Sequence, residues 1–293
     1  KEAIQEIRFK NGIPAGESLW APPINDLVRT NQALFNKLMI EYNIALERQL
    51  QKSVGPLDNY IDEVKSDFFR TAEVARVQGS IGADALEKIK RNLANVRYLS
   101  VEKFISKYGL NAYGTYCYFN GTGLALGFIG SDRTEIFMCP GVVMASMAGK
   151  GVTQGELKAR FTEYIHFPLS HEFGHSIEPY YLGRGPYLFA PGCFEEGVNS
   201  QVKANETAAD YWAIQALNTK LMAVATQQGR VIAFKNYIAK SHLNRICGTD
   251  KSSPLEVFQG SPSQKDDPHP SAHFRLNSLL GSNPVLRSLL GCV

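Results

Sequence analysis

The sequence predicts an α+β protein in which a helical N-terminal region, residues 1–107, precedes a region of mixed strands and helices, residues 108–293. Three observations carry that expectation. Apolar residues recur at three-to-four spacing from about Asn25 to Lys107, aromatic and β-branched residues crowd the stretch after Gly109, and helical spacing returns from Leu157.

In the first region the helical spacing runs through LVRTNQALFNKLMIEYNIALERQL, YIDEVKSDFFRTAEVARV and ALEKIKRNLANVRYLSVEKFI, which predicts about three packed helices. Gly55-Pro56 and the Gly79 to Gly82 segment are the turns between them, and the Leu, Phe and Tyr stripes read as core. Beyond Tyr108-Gly109, TYCYFNGTGLALGFIG and TEIFMCPGVV predict strands, punctuated by Asn120-Gly121 and Ser131-Asp132. A helix is predicted over Leu157 to Ile177, stopped by Pro179 and the Gly-rich LGRGP. Pro168 within it predicts a start or kink, which would put the residues just after it in the early turns. Another helix runs from about Asn205 through Gln228, SSPLEVFQGSPSQKDDPHP reads as a long loop, and a last helical segment follows Pro284.

The chain has 293 residues, 44% hydrophobic and 20% charged, which is ordinary globular composition with enough length for one large core or two smaller ones. Its net charge of +3 comes from 31 basic and 28 acidic residues without a dense basic block, so neither nucleic acid nor an anionic membrane is expected as a partner. No stretch approaches the roughly 18 consecutive apolar residues of a membrane span. The start, KEAIQEIRFK, is no signal peptide, and a leader removed before Lys1 is the expectation. The five cysteines, Cys117, Cys139, Cys193, Cys247 and Cys292, form no CxxC pair, which removes a cysteine zinc site. Their odd number leaves at least one thiol unpaired within the chain.

The chemistry concentrates at His171-Glu172-Phe173-Gly174-His175. Residues i and i+4 of a helix lie on one face a turn apart, so two imidazoles can reach one ion, while Glu172 sits beside it without binding. A carboxylate so placed can take a proton from zinc-bound water and pass it to a leaving amine. By chance the pattern would occur somewhere in such a chain with a probability of about 1%, so a third ligand is needed to decide. Asn205-Glu206-Thr207-Ala208-Ala209-Asp210 supplies one, 31 residues after His175. Glu206 becomes the third ligand, and Asp210, one turn on, can hold the free nitrogen of a ligating His. Three protein ligands with one open position is the arrangement of a catalytic zinc, and one zinc ion is the expected cofactor. Asn205-Glu206-Thr207 is formally a glycosylation sequon, expected to stay unmodified beside a metal.

HExxH followed by ExxxD resembles the gluzincin peptidases, thermolysin among them, and further segments resemble the neprilysin family. Asn111-Ala112-Tyr113 precedes Glu135-Ile136-Phe137-Met138-Cys139-Pro140-Gly141 as the family's Asn-Ala-Tyr/Phe motif precedes an edge strand ending in Pro. Cys247-Gly248-Thr249, then Asp267 and His269, then Phe274 and Arg275, and a Cys near the end at 292 follow in the family's order. The resemblance covers about residues 108–293. It implies a thermolysin-like zincin catalytic domain there, with a small mixed sheet and an active-site helix, preceded by the N-terminal helical region. It also implies that Asn111 and Ala112 hold the substrate backbone, with Tyr113 of the same motif among the substrate-binding residues, and that the edge strand pairs with the peptide by strand addition. In the same way it makes Asp210 the residue that orients a zinc-binding His. His269, fixed by Asp267, would donate to the tetrahedral oxyanion, and Arg275 would bind a substrate carbonyl.

The implied function is a secreted, periplasmic or extracellular endopeptidase that cuts oligopeptides or exposed protein segments on the N-terminal side of hydrophobic residues. The chain departs from the family in having only about a hundred residues where the lid lobe stands, and none of the usual N-terminal cysteine partners. The pairings expected here are Cys247 with Cys292 and Cys117 with Cys139. Two other readings compete: a self-inhibited form whose N-terminal helices occupy the cleft, and a catalytically inactive binding or structural protein. Retention of Glu172 and all three ligands weighs against the inactive form.

Overall fold

The structure is a computed structural model and describes residues 32–114, 116–117, 126–129, 132–147, 153–177 and 200–224, with a few isolated positions up to 233. In chain order the described elements are α1 (Gln32–Val54), α2 (Leu57–Val77), α3 (Ala83–Ala94), β1 (Arg97–Tyr98), α4 (Val101–Gly114), β2 (Leu126–Ile129), β3 (Glu135–Met138), α5 (Pro140–Met147), α6 (Gln154–Gly174) and α7 (Ser200–Leu221). The described part is mostly helical with one three-stranded mixed sheet, an α+β arrangement as the sequence predicts. Strand β3 lies in the middle, parallel to β1 and antiparallel to β2. Both foreseen glycine turns are present. Gly55 (φ 96°) parts α1 from α2, and Gly79 (φ 73°) ends α2, where the Ser80 N–H reaches back to the Ala75 carbonyl at 2.8 Å.

Three expectations are corrected. ALEKIKRNLANVRYLSVEKFI is not one helix: α3 stops at Asn95 and the chain extends through β1, because the Leu99 N–H is taken by Ile136 O at 2.8 Å. Leu93, Val96 and Leu99 are buried at three-residue steps, so core positions keep a helical rhythm although the chain has left the helix at Asn95. TEIFMCPGVV is extended only over β3, since Pro140 presets helical φ as the first residue of α5. Nor is β3 an edge strand: neighbours are paired on both sides, and Ile136, Phe137 and Met138 are all buried. With β2 along its whole length and β1 against Glu135 and Ile136, β3 is not the free edge that peptide addition calls for.

The chain divides into two compact units built from separated stretches. One contains α1, β1, α4, β2, β3 and α5. Its core gathers Leu99, Val101, Phe104, Tyr113, Phe137 and Cys139, with the Phe104 and Phe137 rings 4.2 Å apart and Tyr113 edge-on to Phe137 at 5.8 Å. Glu47 of α1 is buried here. Its carboxylate accepts from Tyr98 Oη (2.6 Å) and from the otherwise orphaned Val101 N–H (3.0 Å), which pins the start of α4 to α1. Burial pushes the Glu47 carboxyl up, against these two bonds. Cys117 and Cys139 form the expected disulfide, Cα atoms 5.6 Å apart, and closing a loop of this length contributes about 3 kcal/mol.

The other unit contains nearly all of α2, with α3, most of α6, and α7. Helix α6 is its centre: Phe161, Tyr164, Ile165, Phe167, Leu169 and Phe173 are all buried, while its first turns are largely exposed. Tyr60 of α2 meets Phe161 edge-on at 4.7 Å, and Phe68 meets Phe173 at 5.8 Å. The helix continues through Pro168, which neither starts it nor places the ligands in its early turns. They lie at its end. Packing of the residues around Pro168, with Phe167 and Leu169 fully buried, offsets one missing backbone bond that an isolated helix would not withstand.

Candidate metal centre

Helix α6 finishes at Gly174, and the chain tightens into consecutive i→i+3 bonds: His175 N to Glu172 O (3.2 Å), Ser176 N to Phe173 O (2.9 Å) and Ile177 N to Gly174 O (2.9 Å). His171 thus sits in the last helical turn and His175 just beyond it, still close enough for the two rings to meet at 5.0 Å between centroids. Both stand at the negative end of the helix dipole, which favours a cation there. Opposite them, Glu206 and Asp210 project one turn apart from α7.

These residues converge. Asp210, fully buried, accepts from His171 Nδ1–H at 2.7 Å, which fixes the ring and turns Nε2 toward Glu206. Glu206 Oε2 lies 3.1 Å from His171 Nε2, and Glu206 Oε1 lies 3.5 Å from His175 Nε2. One ligand atom from each of His171, His175 and Glu206 falls within 4.8 Å of the others, so this group could hold a metal ion. Each imidazole Nε2 faces its own oxygen of the Glu206 carboxylate, so the carboxylate lies between the two rings, where a shared ion would be held.

Electrostatics make the same point. Burial alone would pull the His171 imidazole down, but Asp210 and Glu206 outweigh it and hold the group up to about 10. Without an ion, the site therefore takes a proton in the place of positive charge. A divalent cation entering must displace that proton, so binding is coupled to pH. Glu172 follows His171 in the last turn and is only half-buried, which leaves it open to water.

Gly174 is part of the centre in a way the sequence reading passed over. A Cβ there would stand 2.7 Å from Ala209 Cα and 2.9 Å from its carbonyl oxygen, so only glycine lets α6 approach α7 this closely. The buried Ala208 and Ala209 are its counterpart. The signal was present, small residues beside both halves of the motif. Arg133 left no such signal: at φ 51°, it donates from Nη1 to His175 O at 3.1 Å, capping a carbonyl the finished helix leaves open.

Of the remaining expected site residues, Asn111, Ala112 and Tyr113 follow a break in α4 at Gly109 (φ 86°). Asn111 is exposed, Ala112 half-buried, and the Tyr113 ring belongs to the aromatic core of its own unit. Asp267, His269 and Arg275, like Cys247 and Cys292, lie outside the described residues. No family model matches the chain, and no curated protein or solved structure matches it either, so the case for the centre rests on its own geometry.

Proposed function

We propose that this chain is a zinc-dependent endopeptidase with a thermolysin-like zincin fold, a short relative of the neprilysin family. It would hydrolyse oligopeptides or exposed protein segments on the N-terminal side of hydrophobic residues. The observation that carries the reading is the Glu206 carboxylate facing both imidazole Nε2 atoms, with Asp210 behind His171. Two imidazoles and one carboxylate favour zinc over calcium or magnesium, which prefer all-oxygen shells. A bound zinc would supply a Lewis acid that polarises the scissile carbonyl and acidifies water.

The chain's own groups do the rest. Glu172 accepts a proton from the attacking water and delivers it to the leaving amine. Asp210 keeps His171 in the tautomer that presents Nε2. By resemblance, His269 held by Asp267 stabilises the oxyanion, Arg275 binds a substrate carbonyl, and Asn111 and Ala112 hold the substrate backbone, whereas the buried Tyr113 ring supports its own core. The Cys117–Cys139 disulfide fits a secreted protein.

The deciding experiment is digestion of a mixed peptide library by wild type and Glu172→Gln, each with and without chelator, read by mass spectrometry. Cleavage should be chelator-sensitive and vanish in the variant. Cleavage indifferent to both treatments would overturn the mechanism, and zinc binding without any cleavage would favour an inactive binding protein. His269→Ala should lower kcat far more than it raises KM, since an oxyanion bond forms mainly in the transition state. An effect on KM alone removes His269 from that role.

A further inference from the structure

About five residues before the metal ligands, α6 carries a second buried histidine that the proposed chemistry does not use. His166 and Asp67 of α2 are exposed by only 1% and 2%, and His166 Nε2 donates to Asp67 Oδ2 at 3.2 Å. The acidic partner cannot donate, which assigns the proton to that nitrogen. Lys220, near the end of α7, donates to the same oxygen at 3.1 Å and to Glu63 Oε1 at 2.5 Å. Arg70 reaches the other Asp67 oxygen. Thr71 donates to Asp67 O at 2.9 Å and lies 2.9 Å from Thr219 of α7.

One carboxylate of α2 thus joins α6 to α7 at a second level, about five residues before His171 on α6 and about ten after Asp210 on α7. Along α6 the order is His166, His171, His175; along α7 it is Glu206, Asp210, Lys220. The two helices are therefore cross-linked at two levels, with the tight Gly174–Ala209 contact at the metal level. Buried polar networks of this type are weak sources of net stability, because desolvation offsets their attraction. What they supply is geometry: a hydrogen-bonded carboxylate accepts donors only from narrow directions, so a shift of α6 along α7 breaks the bonds.

We propose that Asp67, His166 and Lys220 are positioning residues for the metal centre: they fix the register of α6 against α7, so that His171 and His175 meet Glu206 at ligand distance. The proposal rests on the metal-binding reading above. It requires an N–H donor at position 166, and it requires the cation of Lys220 to complete the link to α7.

The test is zinc affinity of the full chain, measured with Zn2+ in competition with a chromophoric chelator and accompanied by thermal unfolding of the metal-free protein. His166→Leu should weaken zinc binding about tenfold, the low end of what outer-shell changes cost. His166→Gln, whose amide N–H can replace the imidazole donor, should stay near wild type. Ile89→Ala, which empties buried volume on α3, should lower metal-free stability without changing zinc affinity. If His166→Leu does not fold, Lys220→Met, at a position 17% exposed, takes its place with the same expected loss. Wild-type affinity in His166→Leu or its substitute, or an equal loss in Ile89→Ala, overturns the positioning role and leaves the metal centre standing. No zinc binding by wild type would sink both.

Discussion

In the metal-free protein, two histidines of one helix, both buried and both hydrogen-bonded to an aspartate, are pushed toward opposite charge states. His171 is held up to about 10, whereas burial pushes His166 down so that it stays neutral. Exposure does not distinguish them. The difference lies in what else touches the carboxylates. Around His171, Asp210 and Glu206 together outweigh the cost of burial. Asp67, by contrast, is already shared with Lys220 and Arg70, and Lys220 repels a proton on His166. An excess of negative charge makes a cation site, and a balanced cluster makes a structural joint. Reading HExxH alone locates the first environment, but the balance around each ring has to be read in space.

The largest expected effect follows from the proton on His171. Because metal entry releases it, zinc affinity should rise by about tenfold per pH unit between roughly pH 6.5 and 9. The metal-free protein should show the converse. Its raised folded-state value means that stability is fully present below the unfolded value near 6.5 and is lost as pH rises toward 10, at up to about 1.4 kcal/mol per unit. Chelator-competition titrations and denaturant unfolding across that range check both slopes. Flat profiles would show that the two histidines do not differ as described. Next in size, Asp210→Asn removes one of the two charges that distinguish His171 and should weaken zinc binding about 10–100-fold. Asp67→Asn alters the balanced cluster instead, and should lower stability more than it lowers zinc affinity.

Gly174→Ala separates the two environments by distance. The added methyl meets the Ala209 backbone, which has no side-chain freedom to yield, and overpacking of this kind costs about 1–3 kcal/mol. Metal affinity should fall with it, while the Asp67–His166 bond, further along α6, survives as a protected imidazole N–H in NMR spectra. Loss of both together would mean that α6 moves as one rigid body against α7.

How legible was this in the sequence? The ligand set was, because HExxH and ExxxD are local patterns whose helical spacing dictates which side chains share a face. The glycine turns at 55 and 79 and the Cys117–Cys139 pairing were anticipated as well. Three features required the tertiary structure. The path of α6 through Pro168 depends on the packing of the residues around it. The central position of β3 depends on β1, a two-residue strand hidden in helical spacing. The Asp67–His166–Lys220 cluster unites residues 99 and 153 positions apart in sequence, with no periodicity to connect them.

The smallest effect is the most direct test of charge balance as the cause. Lys220→Met removes a cation from beside Asp67 while leaving its carboxylate, Arg70 and the burial of His166 in place. If the balance matters, His166 should behave more like His171: its titration, followed by the imidazole carbon-bound proton in NMR, should move to higher pH than in wild type. Since the Asp67 carboxyl is held below its usual range partly by Lys220, against its burial, the same substitution should raise it. Folded stability should then be lost at a higher pH on acidification, because a carboxylate with a depressed folded-state value stabilises only above that value. Burial still opposes the imidazolium, so the His166 shift should be well short of the value reached by His171. An unchanged His166 titration would mean that burial alone keeps it neutral, and that the contrast between the two histidines comes only from the number of carboxylates each one meets.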